Sequence, residues 1–224
     1  MGVNVMLVGA TGAVGRLALK HLLNSTDVSQ VQVLTRRSLD VEHPKLLEII
    51  TDLIDPSALT LEHTDVFLCA LGTTIKQAGS PERFYQIDKV LVEACAQLAL
   101  QNGARHAGII SCIGANPNAK GLYLRTKGDM EHELSQQPWQ SVTFIQPSLL
   151  LGHRDEFRLG EALAAAASPL FNWLLVGPLK AYRAISVERV ALALAKVAQS
   201  VPQTKPEAAV KSSSISRLTY QDIR

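Results

Sequence analysis

Tyr123 and Lys127 stand four residues apart in GLYLRTKGDMEHEL, residues 121–134, and FYQIDKV repeats the spacing with Tyr85 and Lys89. Four residues make about one helical turn, a rise of ~6 Å, so each pair shares a helix face. A phenol beside an ammonium can move a proton. A free tyrosine titrates near ~10, and an adjacent cation stabilises its phenolate. The spacing alone is a weak signal, since it arises by chance in roughly one chain in five of this composition. Each pair also has a hydroxyl upstream: Ser111 stands twelve residues before Tyr123, and Thr73 twelve before Tyr85.

Two features favour the later set. Tyr123, Lys127, Met130 and Leu134 form one helical stripe, so Lys127 sits in a row that otherwise looks inward. Ser111 ends a strand-like run, where a parallel sheet opens onto its ligands. Its neighbour Cys112, if still in the strand, points to the opposite face and is a poor nucleophile candidate. Tyr85, in the first turns of its own helix, can also face such a cleft.

The elements that must position these groups alternate. VNVMLVG, VQVLT, LLEII, DVFLCAL, HAGIISC and SVTFIQP read as six buried strands, dense in Val, Ile and Leu. AVGRLALKHLLN reads as the first helix. Ser80 and Pro81 cap another, with Phe84, Ile87, Leu91, Ala94 and Leu98 at helical spacing and Gly103 as its stop. SVERVALALAKVAQ is a later helix with Ser186 as N-cap. This order predicts an α/β, right-handed, doubly wound parallel sheet of Rossmann type. The expected organisation is one domain over residues 1–224, with a small substrate-side extension from 147–185 and a polar, weakly patterned tail from 202–224.

Between the first strand and first helix lies GATGAVG. Gly9 permits the tight turn, Gly12 lets backbone approach a diphosphate, and Gly15 allows helix to pack on strand. Thr11, Ala13 and Val14 complete the cradle at the helix N-terminus. The second strand ends in TRRS. A site for NAD would carry Asp or Glu here, whereas Arg36 and Arg37 suit the 2′-phosphate of NADP. Asp52, after the third strand, is placed to reach an adenine amino group.

Composition bounds the rest. The chain has 224 residues, 22 basic against 20 acidic, and a formal net charge of +2. That balance gives no nucleic-acid footprint. Cys69, Cys95 and Cys112 form no CxxC pair, and the six histidines have no metal-ligand spacing. Buried reduced thiols fit a cytoplasmic protein. The sequence predicts no secretory leader, and Met6 stands where a myristoylation motif wants Ser or Thr. Residues 162–179 are apolar but interrupted by Ser168, Pro169, Asn172, Gly177 and Pro178, so no membrane span is expected. His153, Arg154, Asp155 and Glu156 read as a solvated loop, though Arg154 could meet an acidic substrate. Trp139 and Trp173 read as packing residues. Association of copies stays open.

GATGAVG, TRRS, Ser111, YLRTK and QPSLLLG together resemble the short-chain dehydrogenase/reductase superfamily over about residues 3–200. LGTTIKQAGSPERF is similar to its atypical, extended-like branch, which includes small NAD(P)-binding proteins related to the Tat-interacting protein of 30 kDa. The resemblance implies a catalytic Ser111, Tyr123 and Lys127, and makes Tyr85 with Lys89 the decoy. It also implies that Leu71, Gly72 and Thr73 lie near the cofactor ribose, and that Pro147 and Ser148 line the nicotinamide. Lys127 would hold the nicotinamide ribose as well, and Ser111 would donate to a substrate carbonyl. Many extended members have Asn in the helix after strand four, where this chain has Asp88. That departure and the short C-terminal lobe argue against sugar-nucleotide chemistry. The expected function is NADP(H)-dependent reduction or oxidation of a small carbonyl or alcohol. The alternative is an NADP(H)-binding regulator or scaffold with little or no catalysis.

Overall fold

The computed structural model describes residues 2–53, 56–148, 150–151, 180, 182–201 and 214–223. His153 to Glu156, Trp173 and most of the expected substrate lobe lie outside them.

In chain order the elements are β1 (Val3–Val8), α1 (Ala13–Leu23), β2 (Val28–Thr35), β3 (Leu46–Ile50) and β4 (Val66–Cys69). Next come two short helices, α2 (Ile75–Ala78) and α3 (Pro81–Tyr85), a π turn (Gln86–Val90) and α4 (Leu91–Gln101). After these follow β5 (His106–Ile110), α5 (Leu122–Gln136), β6 (Ser141–Ile145), β7 (Leu150–Leu151), β8 (Ile185–Ser186), α6 (Val187–Gln199), β9 (Ser214–Leu218) and α7 (Tyr220–Ile223). Seven strands form one sheet in the order β3-β2-β1-β4-β5-β6-β9, with every pair parallel. The strand order reverses direction at β1, where the chain steps from β3 across to β4. Ligands of such sheets lie at that switch point.

Strand parity divides the core. Val5 and Leu7 of β1 face one layer, against α1 and α6, while Met6 and Val8 face the other, against α4 and α5. Helices on both faces explain why the strands carry continuous apolar runs rather than alternation. Caps fall where side chains can satisfy them: Ser80 Oγ accepts from Arg83 N at 3.1 Å, and Ser186 Oγ accepts from Arg189 N at 3.4 Å. Gly103 adopts φ 106° just past the end of α4, a left-handed conformation that glycine takes at low cost.

Three features depart from the sequence reading. The first is the face of the helix after Pro81. Phe84 and Leu98 are buried as the spacing predicts, and Asp88, Val92, Cys95, Ala96 and Ala99 are buried with them, whereas Ile87, Leu91 and Ala94 are half-buried. Between Phe84 and Leu98 the buried face is displaced by one position, because the π turn at Gln86–Val90 inserts extra backbone into the helix. Second, β5 stops at Ile110, so Ser111 and Cys112 lie beyond the strand and not in it. Third, the polar tail contains β9, the seventh strand. It pairs with β6 on one side alone and leaves Ser214 to Arg217 exposed, so no apolar pattern announces it.

Candidate active site

The glycines of the first turn differ in why they are needed. Gly9 has φ 82°, and a Cβ there would stand 2.5 Å from the carbonyl carbon of Ala70. A Cβ on Gly15 would stand 2.1 Å from Gly9 O. Both are demanded by the fold itself. Gly12 is not: its nearest neighbour would be Gly9 O at 3.4 Å, an ordinary contact. What Gly12 keeps open is the cleft above it. No side chain caps the N-terminus of α1, so its first N–H groups are left for another acceptor. An open cradle over uncapped N–H groups fits a diphosphate.

Two adjoining cavities run along this cleft, of about 460 and about 910 Å³. Thr11, Gly12, Leu71, Gly72 and Thr73 line both. The larger one also meets Gly9, Arg36 and Asp52. Its apolar wall comes from Ile87, Leu91 and Ala94, the stripe that the sequence assigns to the core. The smaller cavity meets Ala13, Val14, Ser111, Tyr123, Lys127, Pro147 and Ser148. Gly15 and Arg37 line neither. Gly15 is held beneath the turn, while Arg37 uses its backbone to clamp Thr35, whose Oγ1 donates to Arg37 O at 2.8 Å. The two arginines are therefore not equivalent. Arg16, Gln77 and Asp88 line the smaller cavity and were not singled out as cofactor contacts.

Tyr123 and Lys127 come from one face of α5. That helix is pressed against the loop before it: a Cβ on Gly128 would fall 2.1 Å from the carbonyl carbon of Asn116. Tyr123 is 40% exposed at the mouth and stacks on Phe84 at 5.7 Å. Lys127 is buried, and its Nζ lies 2.8 Å from Asp88 Oδ1. Asp88 Oδ2 accepts from Thr73 N at 2.9 Å, which ties the pair to the loop lining both cavities. Oδ1 makes no well-aligned hydrogen bond, so its contact with Lys127 is mainly ionic. Burial opposes the lysine's charge, but Asp88 and then Tyr123 outweigh it and hold its pKa above the ordinary value. Gly72 sits over the pair: a Cβ there would be 3.6 Å from Asp88 Oδ1 and 3.8 Å from Lys127 Nζ.

The other pair faces elsewhere. Lys89 Nζ sits 5.6 Å from the centre of the Tyr85 ring and pairs with Glu93 Oε2 at 3.1 Å, and neither Tyr85 nor Lys89 lines the cavities.

Two sequence expectations need correction here. Cys112 does not point away. Because β5 ends before it, the residue turns into the smaller cavity, where its thiol meets the Tyr123 hydroxyl. Burial pushes that thiol up to about 11, against smaller effects of Lys127 and Tyr123, so it is no thiolate near neutrality. Ser111, in turn, is not free to donate to a carbonyl. Its hydroxyl donates to Glu131 Oε1 at 2.5 Å. Gln146 Nε2 donates to the same oxygen at 2.8 Å, and Arg217 Nε donates to Glu131 Oε2 at 2.9 Å. Neither Glu131 nor Arg217 carries a sequence motif, and Arg217 comes from the unannounced strand β9. Ser148 likewise donates to the carbonyl of Arg183.

Among the described residues no cluster of His, Cys, Asp or Glu could hold a metal ion, and no helix is long and apolar enough to cross a membrane.

Comparison with known proteins points to a family and a fold. A family model described as NAD(P)H-binding matches residues 9–200. The FMP52 protein of Eremothecium gossypii, named as mitochondrial, is 35% identical over 70% of this chain and 70% of its own. That of Candida albicans, also named as mitochondrial, is 32% identical over 86% and 88%. The HTATIP2 protein of Rattus norvegicus is 31% identical over 72% and 68%. Among solved structures, MoeE5 in complex with UDP-glucose and NAD aligns with a TM-score of 0.65 at 17% identity, over 96% of this chain and 76% of that one. Uronate dehydrogenase from Agrobacterium tumefaciens aligns at 0.63 and 14%, over 97% and 76%. These structural likenesses carry the fold.

The fungal relatives overturn the expectation of a cytoplasmic protein, since they are named as mitochondrial. Burial, the largest cause in each case, pushes the Cys69 thiol up to about 12 and raises Cys95 and Cys112, so these free thiols stay protonated near neutrality. The matched model spans most of the chain, and the relatives are identical at about a third of the aligned positions: the chain belongs to the NAD(P)H-binding family, with the FMP52 and HTATIP2 proteins among its relatives.

Proposed function

We propose that the chain is an NADP(H)-dependent oxidoreductase that moves a hydride between its cofactor and a small carbonyl or alcohol. One observation carries the reading. Tyr123 and Lys127 line the same cavity as the turn Thr11–Val14 and the loop Gly72–Thr73. The nicotinamide, when bound, supplies the hydride chemistry. The chain supplies position and protons. The turn and the N-terminus of α1 hold the diphosphate, and Arg36 meets the 2′-phosphate with its fork of donors. Tyr123 Oη gives a proton to the substrate oxygen in reduction and takes it back in oxidation. Lys127, kept cationic by Asp88, stabilises charge on that phenol. Pro147 lines the same cavity.

A thermal-shift titration with NADPH, NADP, NADH and NAD tests the cofactor. At a hundredfold excess over the dissociation constant the phosphorylated pair should stabilise the fold by ~2.7 kcal/mol. A larger shift with NADH would overturn the role of Arg36. No shift with any of the four would overturn the cofactor reading.

A second reading is an NADP(H)-binding regulator with slow catalysis. The commitment of Ser111 to Glu131 favours it, because the site has then lost one expected donor to the substrate. Cofactor binding without turnover of any carbonyl or alcohol by the wild-type chain would select this reading.

A further inference from the structure

Among the described residues, the charged side chains that line the smaller cavity are Arg16, Asp88 and Lys127. Asp88 and Lys127 neutralise each other at 2.8 Å. Arg16 is exposed, and its side chain pairs with no described residue. Its guanidinium is the charge left uncompensated on that wall.

The place of Arg16 on α1 runs against the helix. A helix N-terminus carries partial positive charge, so acids are favoured near it and cations are not. The first turn of α1 has no acid and no side-chain cap. Arg16 N donates to Gly12 O at 2.9 Å, the first bond of the helix. The N–H groups of Ala13, Val14 and Gly15 come before that bond and have no intrahelical acceptor. Bare donors and an unpaired cation thus gather at one helix end, beside a cleft. An anion in the cleft satisfies both.

Helix geometry aims the guanidinium at that anion. Gly12 and Arg16 are four residues apart on the exposed face of α1, while Val14, Gly15, Ala18 and Leu19 are buried. Helical side chains lean towards the N-terminus, so the long Arg16 side chain reaches back over Gly12, which has no side chain to bar it. Arg16 lines the smaller cavity and not the larger, whereas Arg36 lines the larger and not the smaller. The two arginines mark different ends of the cleft. Arg36 shares its end with Asp52, and Arg16 shares its end with Tyr123, Lys127 and Pro147.

We infer that Arg16 binds the cofactor diphosphate on its nicotinamide side, equally for NADPH and NADH. This rests on the cofactor half of the proposed function and needs no turnover. The planar guanidinium offers a fork of N–H donors to the phosphate oxygens. The diphosphate is common to both cofactors. Arg16 therefore sets affinity for the dinucleotide, while Arg36 sets the choice between its phosphorylated and plain forms.

The test titrates wild type and Arg16→Ala with NADPH and with NADH, followed by cofactor fluorescence. A third probe, 2′,5′-ADP, is measured by displacement of NADPH. It carries the 2′-phosphate and the adenosine-side phosphate but lacks the nicotinamide-side one. In Arg16→Ala the affinities for NADPH and NADH should each fall about tenfold or more, the effect of about one charge-assisted hydrogen bond. Affinity for 2′,5′-ADP should stay as in wild type, which also shows that the variant is folded. Unchanged dinucleotide affinity, a loss confined to NADPH, or an equal loss of 2′,5′-ADP would each overturn the inference. So would failure of 2′,5′-ADP to displace NADPH from wild type, because the two arginines would then mark no separable subsites. Each of these sinks this inference alone. Failure of wild type to bind either dinucleotide sinks the cofactor reading and this inference with it.

Discussion

Lys127 Nζ and Asp88 Oδ1 lie 2.8 Å apart at the floor of the cleft, 3% and 0% exposed. The contact joins α5 to the π turn and, through Thr73 N, to the loop shared by both cavities. A buried charge that loses its partner is costly. Asp88→Ala should therefore lower unfolding free energy by about 3–5 kcal/mol, and adding Lys127→Met should recover part of that loss. Urea denaturation of the two variants measures it. A single variant within about 0.5 kcal/mol of wild type would show that the pair contributes nothing.

The same pair sets a pH dependence. The folded state holds Lys127 above its ordinary value of 10.5, so it binds that proton more tightly than the unfolded chain does. The stability this adds is whole below pH 10.5 and is lost as pH rises through the raised folded value. Lys89 is raised as well, with burial opposing its charge and Glu93 outweighing burial. Asp88→Asn separates the two, because it leaves Lys89 untouched. Urea midpoints followed from below pH 10.5 to above it should hold up to that value and then fall more steeply in wild type than in Asp88→Asn. Parallel curves would remove Asp88 as the cause.

Tyr123→Phe should abolish turnover, a loss of at least about a hundredfold for a missing proton donor, with NADPH affinity kept. Tyr85→Phe should turn over like wild type, because its ring packs on Lys89 away from the cavities. Steady-state NADPH oxidation with a panel of small carbonyl compounds reads both. The reverse pattern would mean that the catalytic pair is Tyr85 and Lys89.

The glycines predict two different failures. Gly15→Ala forces a Cβ to 2.1 Å from Gly9 O and should unfold the turn or lower the melting temperature sharply. Gly12→Val should melt near wild type yet lose cofactor, since its side chain points into the open cleft rather than into protein. Arg36→Ala should weaken NADPH about tenfold or more and leave NADH almost unchanged, while Arg37→Ala changes both little. Differential scanning and fluorescence titration separate these outcomes. Equal NADPH losses for the two arginine variants would mean that Arg37 also reaches the phosphate.

Much of the architecture was legible in the sequence. Six strands, the caps at Ser80 and Ser186, the stop at Gly103 and the GATGAVG turn are local features. Runs of Val and Leu, a hydroxyl before a helix and a glycine at a tight turn act within a few residues, so spacing reports them. The choice between the two tyrosine-lysine pairs was half legible. The inward stripe of α5 marked Lys127, but that stripe could not say what the lysine meets.

What the sequence by itself determined was the set of groups and the order of the elements: a glycine cradle after β1, arginines after β2, and a tyrosine and lysine one turn apart on α5. What the tertiary structure decided was which of them act on each other. The π turn moved the buried face by one position and put Asp88, not Ile87, beneath Lys127. The end of β5 at Ile110 turned Cys112 into the cleft. An exposed edge strand brought Arg217 to Glu131, and Glu131 accepts the hydrogen bond of Ser111. These pairings join residues 20 to 86 positions apart or depend on one added residue in a helix. Composition and periodicity carry no record of such distances, because a buried polar contact is set by where two backbones meet in space.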